Sequence, residues 1–258
     1  MLKFAPESIV KPLILLWMAA FLFLLSSFER QTTKPNKVLS LACPLPIANE
    51  EVIERMAYTF AYNEAHEQAN WVAYMLTSTN LGSGVERSNR FMEDPLVSTQ
   101  TATNADYAKS GYDRGHLAPA ADMSWSLQAM QESFYYSNMS PQLPGFNRGI
   151  WKKLEEKVRA WALQYDTLYI VTGPILEPGL PTIGPNKVSI PKAYFKALYA
   201  PQQQKGLAFI LPNAKSEQLL SAFCMSIDAL ELKLNRDFFY QELDQTERVI
   251  EAQAQFWP

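Results

Sequence analysis

Only two histidines occur in this 258-residue chain, and one of them, His116, closes the tetrapeptide Asp113-Arg114-Gly115-His116. Imidazole is the side chain whose ordinary pKa lets it take up and return protons near neutral pH. The Arg114 guanidinium is a permanently charged fork that matches phosphate geometry. Together they point to phosphate chemistry. His116 would act as general base towards an attacking water, and Arg114 would neutralise phosphate oxygens through charge-assisted hydrogen bonds. A second arginine for that task comes from "ERSNRFMEDP" (86–95), which offers Arg87 and Arg90.

The partners of such a base are sought in "NRGIWKKLEEKVRAWALQ" (147–164). Ile150, Leu154, Val158 and Trp161 recur at helical spacing and predict a core-facing stripe. Next to them Asn147, Trp151, Glu155 and Arg159 follow every four residues, which on an unbroken helix sets them along one side. Asn147 stands at the helix start, where its side chain could cap the helix or bind something else. Mg²⁺ takes oxygen ligands and keeps several waters, so a magnesium site needs few protein groups. The Asn147 carboxamide oxygen, with Glu155 holding a metal-bound water, would make a minimal site. The cation would stabilise charge on the phosphorane and on the leaving oxygen.

Plainer roles are available for several of these residues. Glu155 and Arg159 also suit an exposed ion pair one helical turn apart. Trp151 and Trp161 are expected as core or rim residues and not as base-stacking platforms. Asp113 is expected to hold the turn or a neighbouring arginine. His66, in "NEAHEQANW", is expected to serve packing or the surface.

Three stretches, "DRGHLAPAADM" (113–123), "SNMSPQLPGFNRGIWKKLE" (137–155) and "VTGP" (171–174), closely resemble the DNA/RNA non-specific endonucleases, a family of ββα-metal nucleases. The likeness covers roughly 49–200 and is strongest over 106–174. It implies a mixed α+β domain of the ββα-metal (His-Me finger) type, with a central, mainly antiparallel sheet. It also implies hydrolysis of DNA and RNA phosphodiesters with little sequence preference, leaving 5′-phosphate and 3′-hydroxyl ends, with Mg²⁺ or alternatively Mn²⁺. By the same resemblance His116 is the general base, Asn147 the direct metal ligand and Glu155 the acid that orients metal-bound water. Arg159 lies near the leaving phosphate, Arg114 is the motif arginine, and Asn138 supports the site by hydrogen bonding. Arg87 is preferred to Arg90 as the upstream arginine, from its distance to the following aromatic. Two other readings stay open: a phosphodiesterase acting on nucleotides or small diesters, and a catalytically silent, tethered nucleic-acid-binding protein. Some members of the family dimerise, so a homodimer stays open too, although no interface is legible.

The elements that must position these residues are less explicit. "NWVAYMLT" (70–77), "TLYIVTGPI" (167–175), "AYFKALYA" and "GLAFILP" read as strands, and 215–230 and 242–254 as short helices. The stretch 81–97, punctuated by Gly82, Gly84 and Pro95, reads as an irregular loop. Strands and helices do not alternate as in a doubly wound sheet, so the fold class is α+β.

A net charge of −3 gives no global attraction to a polyanion, so nucleic acid would have to meet a local cluster of Arg and Lys. A binder without turnover should display a conspicuous basic groove, and this acidic balance gives no hint of one. At the N-terminus Lys3 and Lys11 precede thirteen unbroken apolar residues (13–25). This is the pattern of an export signal or, extended to Phe28, of a short spanning anchor. No small-x-small cleavage site follows, which favours the anchor. The lysines put the rest of the chain outside the cytoplasm in either case. The expected organisation is a signal or anchor at 1–28, a linker at 29–48 and the nuclease-like domain at 49–258. Cys43 and Cys224, the only cysteines, could form one disulfide in an exported chain or remain two thiols.

Overall fold

The computed structural model describes residues 41–82 and 84–258. The expected anchor at 1–28 and the first part of the linker lie outside the described residues. Among those described, no helix is long and apolar enough to cross a membrane.

The chain opens with β1 (Glu51–Glu54), β2 (Tyr58–Asn63) and β3 (Gln68–Thr77). A short helix, α1 (Asn104–Tyr107), leads to β4 (Asp113–His116), and α2 (Leu127–Glu132) leads to β5 (Met139–Gln142). Then come the long α3 (Lys152–Tyr165), β6 (Thr167–Pro174), β7 (Thr182–Ile183) and β8 (Val188–Ser189). The chain continues through β9 (Ala193–Ala200), β10 (Lys205–Pro212), β11 (Cys224–Met225), α4 (Ile227–Leu234) and α5 (Asp244–Glu251). Seven strands form one sheet in the order β1-β2-β3-β6-β9-β10-β11, and every neighbouring pair is antiparallel. The expected strands and the mainly antiparallel sheet are present.

Alternation along the central strands sends successive side chains to opposite faces, and both faces are covered. On the first face Tyr74, Ile170, Leu198 and Phe209 pack with Ile150, Leu154, Val158 and Trp161 of the α3 region. The predicted stripe is thus the face that docks α3, and all four of its residues are buried. Truncating a fully buried Trp161 to alanine would cost about 3–5 kcal/mol. On the second face Trp71, Val171 and Phe195 pack with Ile227, Leu230, Phe239 and Ile250 from the α4–α5 region.

Two expected helices differ from those observed. The segment 147–164 is not one continuous helix. Phe146–Trp151 is wound more widely, Gly149 departs from helical geometry (φ −106°, ψ −111°), and the regular helix starts only at Lys152. Trp151 therefore points into the core, where it stacks near Phe146 and Tyr194, and does not continue a row from Asn147 to Arg159. The expected helix at 215–230 is mostly absent, because Cys224 and Met225 are taken up in pairing with β10. The helix begins at Ile227, where the Ser226 hydroxyl accepts from the Ala229 N–H, and ends at Asn235 in the left-handed region.

No disulfide joins Cys43 and Cys224. Cys43 packs against the second face and Cys224 against the first, so the sheet separates them. Burial pushes the Cys43 thiol up to about 11.

Candidate active site

β4 and β5 form a separate two-stranded hairpin in which His116 pairs with Met139 and Asp113 with Gln142. Gly115 is required there because a Cβ would fall 2.1 Å from the Gln142 side chain. The hairpin and α3 together make a ββα unit. Between them lies a cavity of about 370 Å³. Its lining includes His116, Asn147, Glu155, Arg87, Arg114 and Arg159, six of the seven residues singled out from sequence. Arg148 and Lys152 complete its charged lining, so five cations face one carboxylate in a protein of net charge −3. The local cluster of Arg and Lys that a polyanion would require is therefore present, although the acidic total gave no hint of it: chain crossings gather charges that the total conceals.

His116 sits at the end of β4, almost fully buried, with the Phe134 ring edge-on at 4.8 Å and Phe91 at 6.0 Å. Its Nε2 makes no hydrogen bond within the protein. Burial, helped by the Arg87 charge, lowers its pKa to about 3 and keeps the ring neutral at physiological pH. The same aromatic rings hold two arginines. The Arg87 guanidinium lies 5.0 Å over Phe134 and that of Arg114 lies 4.9 Å over Phe91. Arg114 Nε also donates to the Tyr136 hydroxyl at 3.2 Å. Arg90 is not among the cavity residues.

Asn138 alone of the seven lies outside the cavity. It is fully buried. Its Oδ1 accepts from the Ala118 N–H (2.9 Å), and its Nδ2 donates to the carbonyls of Ala118 (2.9 Å) and Ser133 (2.8 Å). It clamps the chain just beyond His116 without touching the cavity.

Asn147 donates through Nδ2 to Asp113 Oδ2 at 2.9 Å, leaving its carboxamide oxygen without a partner in that contact. Asp113 in turn accepts two bonds from Arg148, at 2.8 and 2.6 Å, and these contacts hold its carboxyl below the usual range despite partial burial. Asp113 thus fixes a neighbouring arginine and orients Asn147. An amide oxygen and a carboxylate bordering one cavity are hard donors, and few of them, which fits magnesium or manganese.

Beneath the cavity lies a group of buried charges that sequence reasoning missed. Asp122 accepts from Arg159 Nη1 (3.0 Å) and from the Tyr74 hydroxyl (2.9 Å). Lys196 on β9 is fully buried, its Nζ 4.9 Å over the Trp151 ring and without a hydrogen bond. Burial raises the Glu155 carboxyl well above its usual range, aggravated by Asp122 and moderated chiefly by Lys196. Burial likewise lowers Lys196, whose positive form is favoured by Glu155 and Asp122. The available signal was the lone lysine at an inward position of the apolar strand "AYFKALYA". The remaining expectations concern packing. His66 contacts the Ser189 hydroxyl through Nδ1 at 2.8 Å, and Trp161 is core.

The model of the DNA/RNA non-specific endonucleases matches residues 34–245. The chain belongs to that family. It is 38% identical over 196 residues to nuclease C1 of Cunninghamella echinulata var. echinulata, which covers 69% of this chain and 78% of that one. It is 36% identical over 194 residues to human mitochondrial endonuclease G, covering 69% of this chain and 65%, just under two thirds, of that relative. The mitochondrial nuclease of Saccharomyces cerevisiae is 33% identical over 223 residues, covering 76% and 67%. Among solved structures, a chain in the crystal structure of the EndoG/EndoGI complex superposes with a TM-score of 0.75 at 27% identity, covering 84% of this chain and 96% of that one. The family's α+β architecture is therefore shared, and the ββα unit here carries the cavity.

Proposed function

We propose that this member of the family is a divalent-cation-dependent endonuclease that cuts DNA and RNA with little sequence preference. What carries the reading is the convergence of His116, Asn147, Glu155 and three arginines on one cavity. In this reading His116, neutral over the physiological range, accepts the proton of the attacking water. Asn147, held by Asp113, offers its oxygen to Mg²⁺ or Mn²⁺, and Glu155 stands beside it. A cation bound there would neutralise charge on the scissile phosphate and its leaving oxygen. Arg87, Arg114 and Arg159 bind the other phosphate oxygens, and Asn138 keeps the base in place. Contacts of this kind address the backbone, not base edges, and so carry no sequence information.

The test is cleavage of supercoiled plasmid and structured RNA in Mg²⁺ and in chelator. Cleavage of both, stopped by chelator, is expected. His116→Ala should lower the rate about 10²–10⁴-fold with the fold intact. Wild-type digestion by His116→Ala would remove the base assignment, and activity on dinucleotides but not on plasmid would favour a small-diester phosphodiesterase.

The site in this proposal works outside the cytoplasm, tethered through residues 13–28, with 29–48 as the linker to the domain at 49–258. Lys3 and Lys11 ahead of the apolar run support that orientation. Recovery of the protein in the membrane fraction after a salt wash is expected, and a soluble cytoplasmic pool would refute it.

A further inference from the structure

The second face of the sheet carries an acidic cluster far in sequence from the cavity residues. Asp228 and Glu231 lie on α4, Asp237 in the turn that follows, and Glu247 and Glu251 on α5. Spacings of three and four residues put each helical pair on one face. Two sets of carboxylate oxygens close to within 4.8 Å of one another: Asp228, Glu231 and Glu251, and Asp237, Glu247 and Glu251. Glu251 belongs to both. Its residue is 6% exposed, and its buried Oε1 has no hydrogen-bond partner.

Among the described residues no lysine or arginine is ion-paired with these carboxylates, although the Arg248 charge favours ionised Glu247 and the Phe238 N–H donates to Glu231 Oε1 at 2.6 Å. Arg236 is committed to Glu50 through two bonds, at 2.9 and 2.8 Å. Arg248 Nε donates to the Asp244 carbonyl. The charges acting on Glu251 are those of Glu231, Glu247, Asp228 and Asp237, all of one sign. Glu251 also ends α5, where the carbonyl end of a helix disfavours an anion. Burial and these like charges push the Glu251 carboxyl up to about 9, so without a counter-charge it keeps its proton, and its buried Oε1 still lacks a partner within the protein. Oxygens within 4.8 Å of one another match twice a calcium–oxygen distance of roughly 2.4 Å, and calcium accepts many carboxylate ligands in flexible geometry.

We propose that Asp237, Glu247 and Glu251 form a binding site for a hard divalent cation, calcium, which clamps the turn after α4 to α5, with Asp228 and Glu231 adding negative charge beside it. The site lies on the face of the sheet away from the catalytic cavity and serves stability, not hydrolysis. It is independent of the proposed function.

The test uses the full chain with Asn147→Ala and Glu155→Gln, so that the cavity does not contribute cation binding. Calcium titration by calorimetry should give one site, and calcium should raise Tm over chelator by about 5 °C or more. Adding Glu251→Gln should abolish both effects while leaving the protein in chelator about as stable as its parent, because glutamine has the shape of the protonated carboxyl it replaces. Glu247→Gln, at a less buried position, should weaken calcium binding at least tenfold and decides the matter if Glu251→Gln does not fold. No calcium binding by the cavity-disabled chain, or undiminished binding after these substitutions, would overturn the proposal.

Discussion

Asn138→Ala separates positioning from chemistry. The side chain makes three buried hydrogen bonds, one accepted from the Ala118 N–H and two donated to the carbonyls of Ala118 and Ser133. Truncation leaves three backbone groups without partners in a fully buried setting. At the lower end of about 1–3 kcal/mol for each unsatisfied group, the loss is about 3 kcal/mol. For a domain of this size that lowers Tm by about 6–12 °C. Because Ala118 lies two residues beyond His116, the released chain lets the imidazole drift, and a misplacement of about 1 Å costs on the order of 100-fold in rate. The assay pairs thermal unfolding with plasmid cleavage at 15 °C, where circular dichroism must first show the variant folded. KM should change little, because the arginines proposed to bind phosphate are untouched, while kcat falls. A variant with wild-type kcat and unchanged Tm would refute the clamp.

Further expectations concern charge. Lys196→Met removes the buried cation that most favours ionised Glu155, so the acid limb of the pH–activity profile should move to higher pH, with about a tenfold loss at pH 7 recovered on raising the pH. An unmoved limb would dissociate Lys196 from the site. His116, with its folded pKa near 3 against an ordinary value of 6.5, is protonated first in the unfolded chain. Its neutral burial therefore costs stability progressively as pH falls below about 6.5. His116→Gln should lose less Tm than wild type between pH 6.5 and 4, and parallel losses would contradict this assignment. Lys152→Ala should weaken nucleic-acid binding equally for all sequences and reduce the salt dependence by ~1 unit of log–log slope, measured by anisotropy from low to moderate salt. A sequence-dependent loss would contradict a backbone contact.

The helical stripe of Ile150, Leu154, Val158 and Trp161 was legible because a 3.6-residue period reports directly which side of a helix meets the core. The strands β3, β6, β9 and β10 were legible from their apolar, β-branched and aromatic content. The residue types around His116 suggested phosphate chemistry, and the three stretches at 113–123, 137–155 and 171–174 together made the family legible. Tertiary structure alone decided how these groups meet. The break at Gly149 turns Trp151 into the core while Asn147 and Glu155 stay on the cavity, a backbone event that a four-residue row cannot register. Asp122 and Lys196 come together under Glu155 from segments 74 residues apart, and five cations border one cavity in a chain whose total charge is negative. Sequence patterns report what neighbouring residues do along a helix or strand; electrostatic fields fall off with distance through space, and that distance exists only once the chain has crossed itself.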